Sequence, residues 1–144
     1  MSSFVRVFGR WIGRVLVGAI VLTIVDGSVA RAAENRVFEM RTYITHDGRL
    51  DALNMRFREH TNSLFVKHGI TPIAYWTPTD GPEAKTTLVY VLAYPSREAA
   101  EKSWQAFRDD PDWKAAKDAS EKDGPIVKRV ISQFLNPTDY SPIK

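Results

Sequence analysis

The strongest constraint on the fold is a central segment, residues 86–94 (TTLVYVLAY), that is apolar on both of its faces. In a strand, successive side chains point to opposite faces of the sheet, so this segment presents two apolar sets. The two sets are Leu88, Tyr90, Leu92 and Tyr94 on one face, and Val89, Val91 and Ala93 on the other. An antiparallel sheet with one solvated face would show polar residues at every second position. The fold therefore needs cover on both sides of its sheet.

The periodicities around this segment predict an alternation of strands and helices. The predicted elements are a strand at 37–45, a helix at 50–68 that stops at Gly69, a strand at 70–77, a loop at 78–85, the strand at 86–94, a helix at 97–108 with Ser96 as N-cap, a short helix beginning at Pro111, and a strand at 126–135. This is the order β-α-β-β-α-β, which predicts an α+β, ferredoxin-like fold with a four-stranded antiparallel sheet.

Two helices cover only one face of such a sheet, yet the last strand is also apolar on both sides. Its two faces carry Ile126, Val130 and Phe134, and Val127, Ile131 and Leu135. An uncovered apolar face of this size promotes aggregation in a monomer. We therefore expect a homodimer that pairs through the sheet face.

The N-terminus has the parts of a secretory signal peptide. Arg6, Arg10 and Arg14 precede the apolar run 15–25, and Ala30-Arg31-Ala32 follows as a small-x-small site. The run is shorter than the roughly 20 residues that span a bilayer. We expect cleavage after Ala32, a domain at residues 33–144, a periplasmic or secreted location and no membrane contact after cleavage; an uncleaved anchor is the alternative.

Composition excludes several classes of function. Removing the four Arg and one Asp of residues 1–32 from 20 basic and 17 acidic residues leaves 16 of each. The basic balance therefore belongs to the leader, and we expect no nucleic-acid partner. The absence of cysteine excludes disulfides, thiolate metal sites and cysteine nucleophiles.

The three histidines do not predict a metal site. His60 and His68 are eight residues apart, about 12 Å along a helix, and His46 lies in a predicted turn. We expect neither a metal nor a cofactor. On an ideal helix His60 falls on the flank of the apolar stripe and points toward the sheet edge, so it is either a boundary histidine or the best candidate for a general base.

Glu39, Arg41 and Tyr43 share one face of the first, central strand, where charges need partners. They form either a structural ion pair or a polar anchor for a ligand. Four aromatic residues accompany them, and these would line a pocket for a small apolar or aromatic ligand: Tyr75, Trp76, Tyr90 and Trp104. The segment SWQAFRDDPDW, residues 103–113, predicts a corner where Trp104 and Phe107 end one helix and Trp113 begins the next.

The chain resembles the NIPSNAP family in five stretches that follow the family order. These are FEMRTYITHDGRLDAL, FREHTNSLFVKHGI, YWTPTDGP, LVYVLAYPSREAAEKSWQAFRDDPDW and LNPTDYSP. The resemblance implies a ferredoxin-like domain that pairs as a dimeric α/β barrel, with a pocket between sheet and helices. The wider superfamily includes cofactor-free monooxygenases and haem-degrading enzymes.

Two hypotheses of function remain. The first is a dimeric module that binds a small molecule or another protein. The alternative is a cofactor-free monooxygenase-like or haem-handling enzyme, in which His60 would be the general base or the axial ligand.

Overall fold

The computed structural model describes residues 36–144, and the predicted leader and its cleavage site lie outside them. The elements are β1 (Val37–Thr45), α1 (Leu50–Arg56), a π-helical segment (Phe57–Thr61), α2 (Asn62–Lys67), β2 (Thr71–Trp76), a short 3-10 turn (Pro82–Lys85), β3 (Thr87–Tyr94), α3 (Arg97–Asp109), α4 (Pro111–Ser120) and β4 (Val127–Leu135). The sheet order is β2-β3-β1-β4 with antiparallel neighbours throughout. The ferredoxin-like α+β prediction is confirmed.

The helices on the C-terminal side begin and end at the residues that local chemistry favours. The Ser96 side chain accepts a hydrogen bond from the backbone N–H of Ala99 at 3.1 Å, which caps α3. Asp110 caps α4 in the same way through Asp112 N–H at 2.8 Å, and Pro111 occupies the first helical position. The predicted corner therefore forms, and the Phe107 and Trp113 rings lie 4.5 Å apart there.

The first helix departs from the prediction of one regular α-helix. A π-helical turn at Phe57–Thr61 separates α1 from α2. The Thr61 hydroxyl donates a hydrogen bond to the Arg56 carbonyl oxygen at 3.2 Å and so supports the widened turn. π-Turns inside α-helices are rare and occur often at functional sites. The wider turn rotates the residues within it away from the positions that a 3.6-residue repeat assigns.

The core lies between the helices and one face of the sheet. It is rich in aromatic rings, and its members include Phe57 and Phe65 from the helix and Tyr90 and Tyr94 from β3. Tyr90 is fully buried and contacts Phe57 edge to face at a centroid distance of 5.2 Å. Rings in this geometry gain about 0.5–1.5 kcal/mol beyond the burial of their area.

The opposite face of the sheet has no helix against it among the described residues. Trp76, Ile131 and Leu135 are 40–54% exposed there. At one end, the chain that follows β4 borders an open cavity of about 340 Å³, whose lining includes Phe38, Trp76, Val91, Leu135, Pro137 and Ile143. No helix within residues 36–144 is long and apolar enough to cross a membrane.

Candidate functional site

A buried carboxylate on β1 organises the interior of the domain. The Glu39 carboxylate accepts hydrogen bonds from Ser132 Oγ at 2.6 Å, Trp104 Nε1 at 2.7 Å and the Tyr94 hydroxyl at 2.8 Å. Its fourth donor is Arg41 Nη1 at 2.5 Å. Burial alone would raise the pKa of Glu39, but the bond from Ser132, the charge of Arg41 and the other two donors hold that pKa below its ordinary value. We call these five residues the Glu39 cluster.

Arg41 is held between aromatic rings on the helix-facing side of the sheet. Its guanidinium carbon lies 4.3 Å from the centre of the Trp104 ring and 5.6 Å from that of Tyr43. Burial by itself would lower the pKa of Arg41, but the Tyr43 and Tyr90 phenols and the Glu39 carboxylate raise it. Arg41 therefore stays charged, and its ion pair with Glu39 is neutral as a whole.

Three tyrosines form a row across the sheet beside this ion pair. The Tyr90 ring lies 5.2 Å from Tyr43 on one side and stacks at 5.7 Å on Tyr75 on the other. Burial raises the pKa of Tyr75 to about 12 and that of Tyr90 well above its ordinary value, so both phenols are protonated at neutral pH. Within residues 36–144, neither hydroxyl has a hydrogen-bond partner.

Tyr75 opens onto a cavity of about 200 Å³ between the first helix and the β2–β3 side of the sheet. Six residues line it, namely Asn54, Phe57, Arg58, Asn62, Tyr75 and Leu88, and we call it the Tyr75 cleft. The side-chain oxygen Asn62 Oδ1 is buried and also lacks a partner in the described part of the chain. A buried polar group left without a partner costs about 1–3 kcal/mol.

His60 lies outside this arrangement, and the prediction that it points toward the sheet edge was wrong. Its side chain is 51% exposed, and Nε2 lies 4.0 Å from a carboxylate oxygen of Glu59. It borders an outer groove of about 510 Å³ between the first helix and α4, together with Ser63, Asp112 and Ala116. The π-helical turn is the physical reason, because His60 is one of the residues that it rotates outward.

Trp76 is separated from the other aromatic candidates by the pleat of β2. Tyr75 faces the helices, so its neighbour Trp76 faces the opposite side and lines the open-face cavity there. The structure thus brings together five of the seven candidates, Arg41, Tyr43, Tyr75, Tyr90 and Trp104, whereas His60 and Trp76 lie apart from them.

Several residues of the interior were not predicted as site residues. Ser132 and Tyr94 complete the Glu39 cluster, and Asn62 lines the cleft. Asn62 follows the π-helical turn, which no periodicity signals. Asp110 was predicted only as a cap, but it also bonds His68 Nε2 at 2.6 Å and Lys67 Nζ at 2.8 Å. Within residues 36–144, no three His, Cys, Asp or Glu side chains form a metal-binding group.

The fold and site define a ferredoxin-like domain with a cleft of about 200 Å³ between its first helix and its sheet. The family model of NIPSNAP matches residues 38–142. The chain therefore belongs to the NIPSNAP family, and this assignment confirms the resemblance in the sequence.

Solved structures share the fold at low sequence identity. A NIPSNAP-like domain protein from Burkholderia xenovorans has a TM-score of 0.66 at 17% identity, over 76% of this chain and 90% of that chain. A NIPSNAP family protein of unknown function from Agrobacterium tumefaciens has a TM-score of 0.66 at 18% identity, over 77% and 96%. SnoaB, a cofactor-independent oxygenase from Streptomyces nogalater, has a TM-score of 0.51 at 9% identity, over 75% and 98%. No curated protein has significant sequence similarity to the chain.

Proposed function

We propose that this protein is a homodimeric module that binds a small, largely apolar or aromatic ligand in the Tyr75 cleft. The observation that carries the proposal is the cleft itself, a cavity of about 200 Å³ between the first helix and the sheet with Tyr75 and Asn62 in its lining. Phe57 and Leu88 supply the apolar part of the lining. An apolar cavity with a few convergent polar atoms is the usual form of a small-molecule site.

The chemistry of the cleft favours binding over catalysis. Its six lining residues include no histidine and no carboxylate, so they supply neither a general base of neutral pKa nor an axial ligand for haem iron. Tyr75 has a pKa of about 12 and serves as a hydrogen-bond donor. The likeness to the oxygenase concerns the fold alone, so the monooxygenase-like and haem-handling hypotheses have no support from the residues of this cleft.

The homodimer in this proposal rests on the open face of the sheet. Ile131 and Leu135 are 40% and 41% exposed there, and Trp76 extends the apolar surface at the β2 edge. A second copy placed sheet to sheet would remove these side chains from water and complete a dimeric α/β barrel.

Export is part of the same proposal and rests on the leader sequence. The basic residues before the apolar run and the site at Ala32 support cleavage there and a periplasmic or secreted mature chain. Intact-mass measurement of the protein recovered outside the cytoplasm should give the mass of residues 33–144. Recovery of the uncleaved chain in the membrane fraction would instead establish the anchor.

Blocking the cleft tests ligand binding. Asn54→Trp places a large ring at the cleft, whereas Met55→Trp places the same ring on the next, exposed position of the helix. We expect small aromatic compounds to stabilise the wild type and Met55→Trp by about 2.7 kcal/mol at a hundredfold excess over Kd, and Asn54→Trp much less. Thermal unfolding with a panel of single-ring compounds measures this.

Two results would count against binding in this cleft. One is an absence of stabilisation of the wild type by any member of the panel. The other is equal stabilisation of Asn54→Trp and the wild type, which would place the ligand elsewhere. His60→Ala is a further control, because His60 borders a different groove and its removal should leave binding unchanged.

A further inference from the structure

The segment that follows β4, residues 136–144, presents an exposed aromatic ring on a closed turn. The backbone N–H of Ser141 donates a hydrogen bond to the Thr138 carbonyl oxygen at 3.1 Å, which closes a four-residue turn with Tyr140 as its third residue. Tyr140 is 84% exposed, more than any other large hydrophobic residue within residues 36–144. A ring of this size in water is a strong candidate for a contact with another surface.

The turn is tied to the domain on its C-terminal side. The Ser141 hydroxyl donates to the Ile143 carbonyl oxygen at 2.7 Å, and Lys144 Nζ donates to the Asp139 carbonyl oxygen at 2.9 Å. Arg36 Nε donates to the Lys144 carbonyl oxygen at 2.9 Å and so joins the segment to the start of β1. Because these bonds already order the turn, little further entropy is lost when its exposed ring enters an interface.

The open-face cavity lies directly beside this turn. Thr138 and Ser141, the two ends of the turn, line the cavity, whereas Tyr140 does not. The floor of the cavity is apolar and includes Phe38 and Val91 of the sheet. The Tyr140 ring therefore leaves the cavity of its own copy unfilled.

We infer that each copy of the homodimer inserts its Tyr140 into the open-face cavity of the other copy. This inference rests on the proposed homodimer and names the contact that joins its two copies. It commits the cavity to one occupant, the aromatic side chain of a second copy of this chain.

The symmetry of a homodimer supports this exchange. In a two-fold interface both copies use the same surface patch, so the patch must be complementary to itself. This patch has a projecting ring, Tyr140, and a cavity beside it. The two-fold axis must then pass midway between ring and cavity, near the end of β4 at Leu135.

The size and lining of the cavity fit a tyrosine side chain. A dry protein cavity of about 150 Å³ accommodates benzene, so about 340 Å³ accommodates a phenol ring and part of the turn that carries it. The exposed Trp76 ring at its edge offers an aromatic contact. Asn136, Thr138 and Ser141 supply polar groups for the tyrosine hydroxyl. An apolar cavity enclosed by a second copy and left empty would instead cost stability.

Sedimentation equilibrium of the mature protein and its variants tests the importance of the ring. We expect Tyr140→Ala to raise the dimer Kd by about thirtyfold for each of the two inserted rings, as for a residue at the centre of an interface. Tyr140→Phe keeps the ring and should raise the Kd only a few-fold. Val66→Ala removes another exposed apolar side chain, on α2 in the helix layer, and is the matched control that should leave the Kd unchanged.

A mixture of two variants tests whether ring and cavity meet between copies. Tyr140→Ala keeps the cavity and lacks the ring, whereas Val91→Phe fills the cavity and keeps the ring. Each homodimer then has no inserted ring, but the mixed dimer has one. We expect native mass spectrometry of an equimolar mixture to show mixed dimers well above the statistical half. Ile73→Trp fills the same cavity from the edge strand and takes the place of Val91→Phe if that variant is unstable.

The outcomes separate this inference from the homodimer on which it rests. A monomeric wild type at micromolar concentration would overturn both. A dimeric wild type whose Kd is unchanged in Tyr140→Ala would overturn the inserted ring and leave the homodimer intact. A statistical share of mixed dimers would also overturn it, because loss of association without complementation means that the ring and the cavity do not meet.

Discussion

At the scale of single residues, Glu39 forms hydrogen bonds with more elements of the fold than any other polar side chain described. Its carboxylate bonds Arg41 on its own strand, Tyr94 on β3, Ser132 on β4 and Trp104 on α3. A carboxylate that already accepts four hydrogen bonds has little capacity left for a ligand. Of the two interpretations that the sequence left open for Glu39 and Arg41, the structural ion pair therefore describes Glu39 better.

Removing this charge should destabilise the domain. Glu39→Gln leaves Arg41, whose side chain is 17% exposed, without its counter-ion. Breaking one side of a fully buried pair costs about 3–5 kcal/mol, and we expect a loss at or below the lower end of that range here. Denaturant unfolding at pH 7 should show this loss. Glu59→Gln is the control, because Glu59 is exposed and takes no part in the cluster. Equal stability of Glu39→Gln and the wild type would contradict the role of the cluster.

The difference in stability between the wild type and Glu39→Gln should depend on pH. The pKa of Glu39 is lowered in the folded state from its ordinary value of 4.5, so the unfolded chain binds the proton more readily. The stabilisation by Glu39 is then complete above pH 4.5 and is lost as the pH falls through the lower, folded pKa. The difference in unfolding free energy between wild type and Glu39→Gln should shrink as the pH falls below 4.5, down to the most acidic pH at which the protein stays folded.

The sequence predicted which side chains of β1 and β3 share a face of the sheet, because successive side chains of a strand point to opposite faces. The two-residue period placed Arg41 and Tyr43 on one face, and the pairing of Arg41 with Tyr90 in the sheet register brought Tyr90 beside them. The same alternation separates Tyr75 from Trp76, so a pocket that used both was inconsistent with β2 as a regular strand. The bulge between Pro72 and Ala74 shifts the register of β2 without reversing that separation.

At the scale of elements, the first helix shows where hydrophobic periodicity no longer predicts the direction of a side chain. Leu50, Leu53, Phe57, Thr61 and Leu64 were predicted as one stripe, and all five are buried. His60 was assigned to the flank of the same stripe and is exposed. The π-helical turn contains His60 and departs from the 3.6-residue repeat there, so the repeat does not predict the direction of that side chain. Its support, the bond from Thr61 to the Arg56 carbonyl, becomes visible only in three dimensions.

The corner between α3 and α4 is stabilised by charges in addition to rings. Asp110 accepts bonds from His68 and Lys67 as well as capping α4, so it ties the end of the first helix to the corner. The hydrogen bond from Lys67 and that from His68 lower the pKa of Asp110. The predicted aromatic corner is therefore confirmed, and its electrostatic part is an addition from the structure.

At the scale of the whole molecule, one face of the sheet is not covered by any of the described residues. The side that faces the helices holds the Glu39 cluster and the Tyr75 cleft, whereas the opposite side is apolar and open. A homodimer through that face would bury it and leave both clefts on the outside of the assembly. The two proposals, dimer and ligand binding, therefore concern different faces and are independently testable.

Two adjacent residues of β4 provide a matched test of the dimer. Ile131 and Val130 are 40% and 41% exposed, and they point to the open face and the helix-facing side respectively. We expect Ile131→Glu to weaken association by roughly a hundredfold or more, because a buried unpaired charge costs several kcal/mol, while Val130→Glu stays dimeric. Sedimentation velocity at micromolar concentration measures both, and a monomeric wild type would rule out the dimer.

The short-range features of this protein are contained in its sequence. Strand and helix periods, the Ser96 and Asp110 caps and the apolar strand at 86–94 depend on neighbours a few residues away, and they predicted the element order. The resemblance of five sequence stretches predicted the family. The Tyr75 cleft, the outward position of His60 and the four bonds of Glu39 depend on contacts between elements that are distant in the chain. Such contacts arise from how helix and sheet pack against each other, and packing in a dense interior is not encoded in any local period.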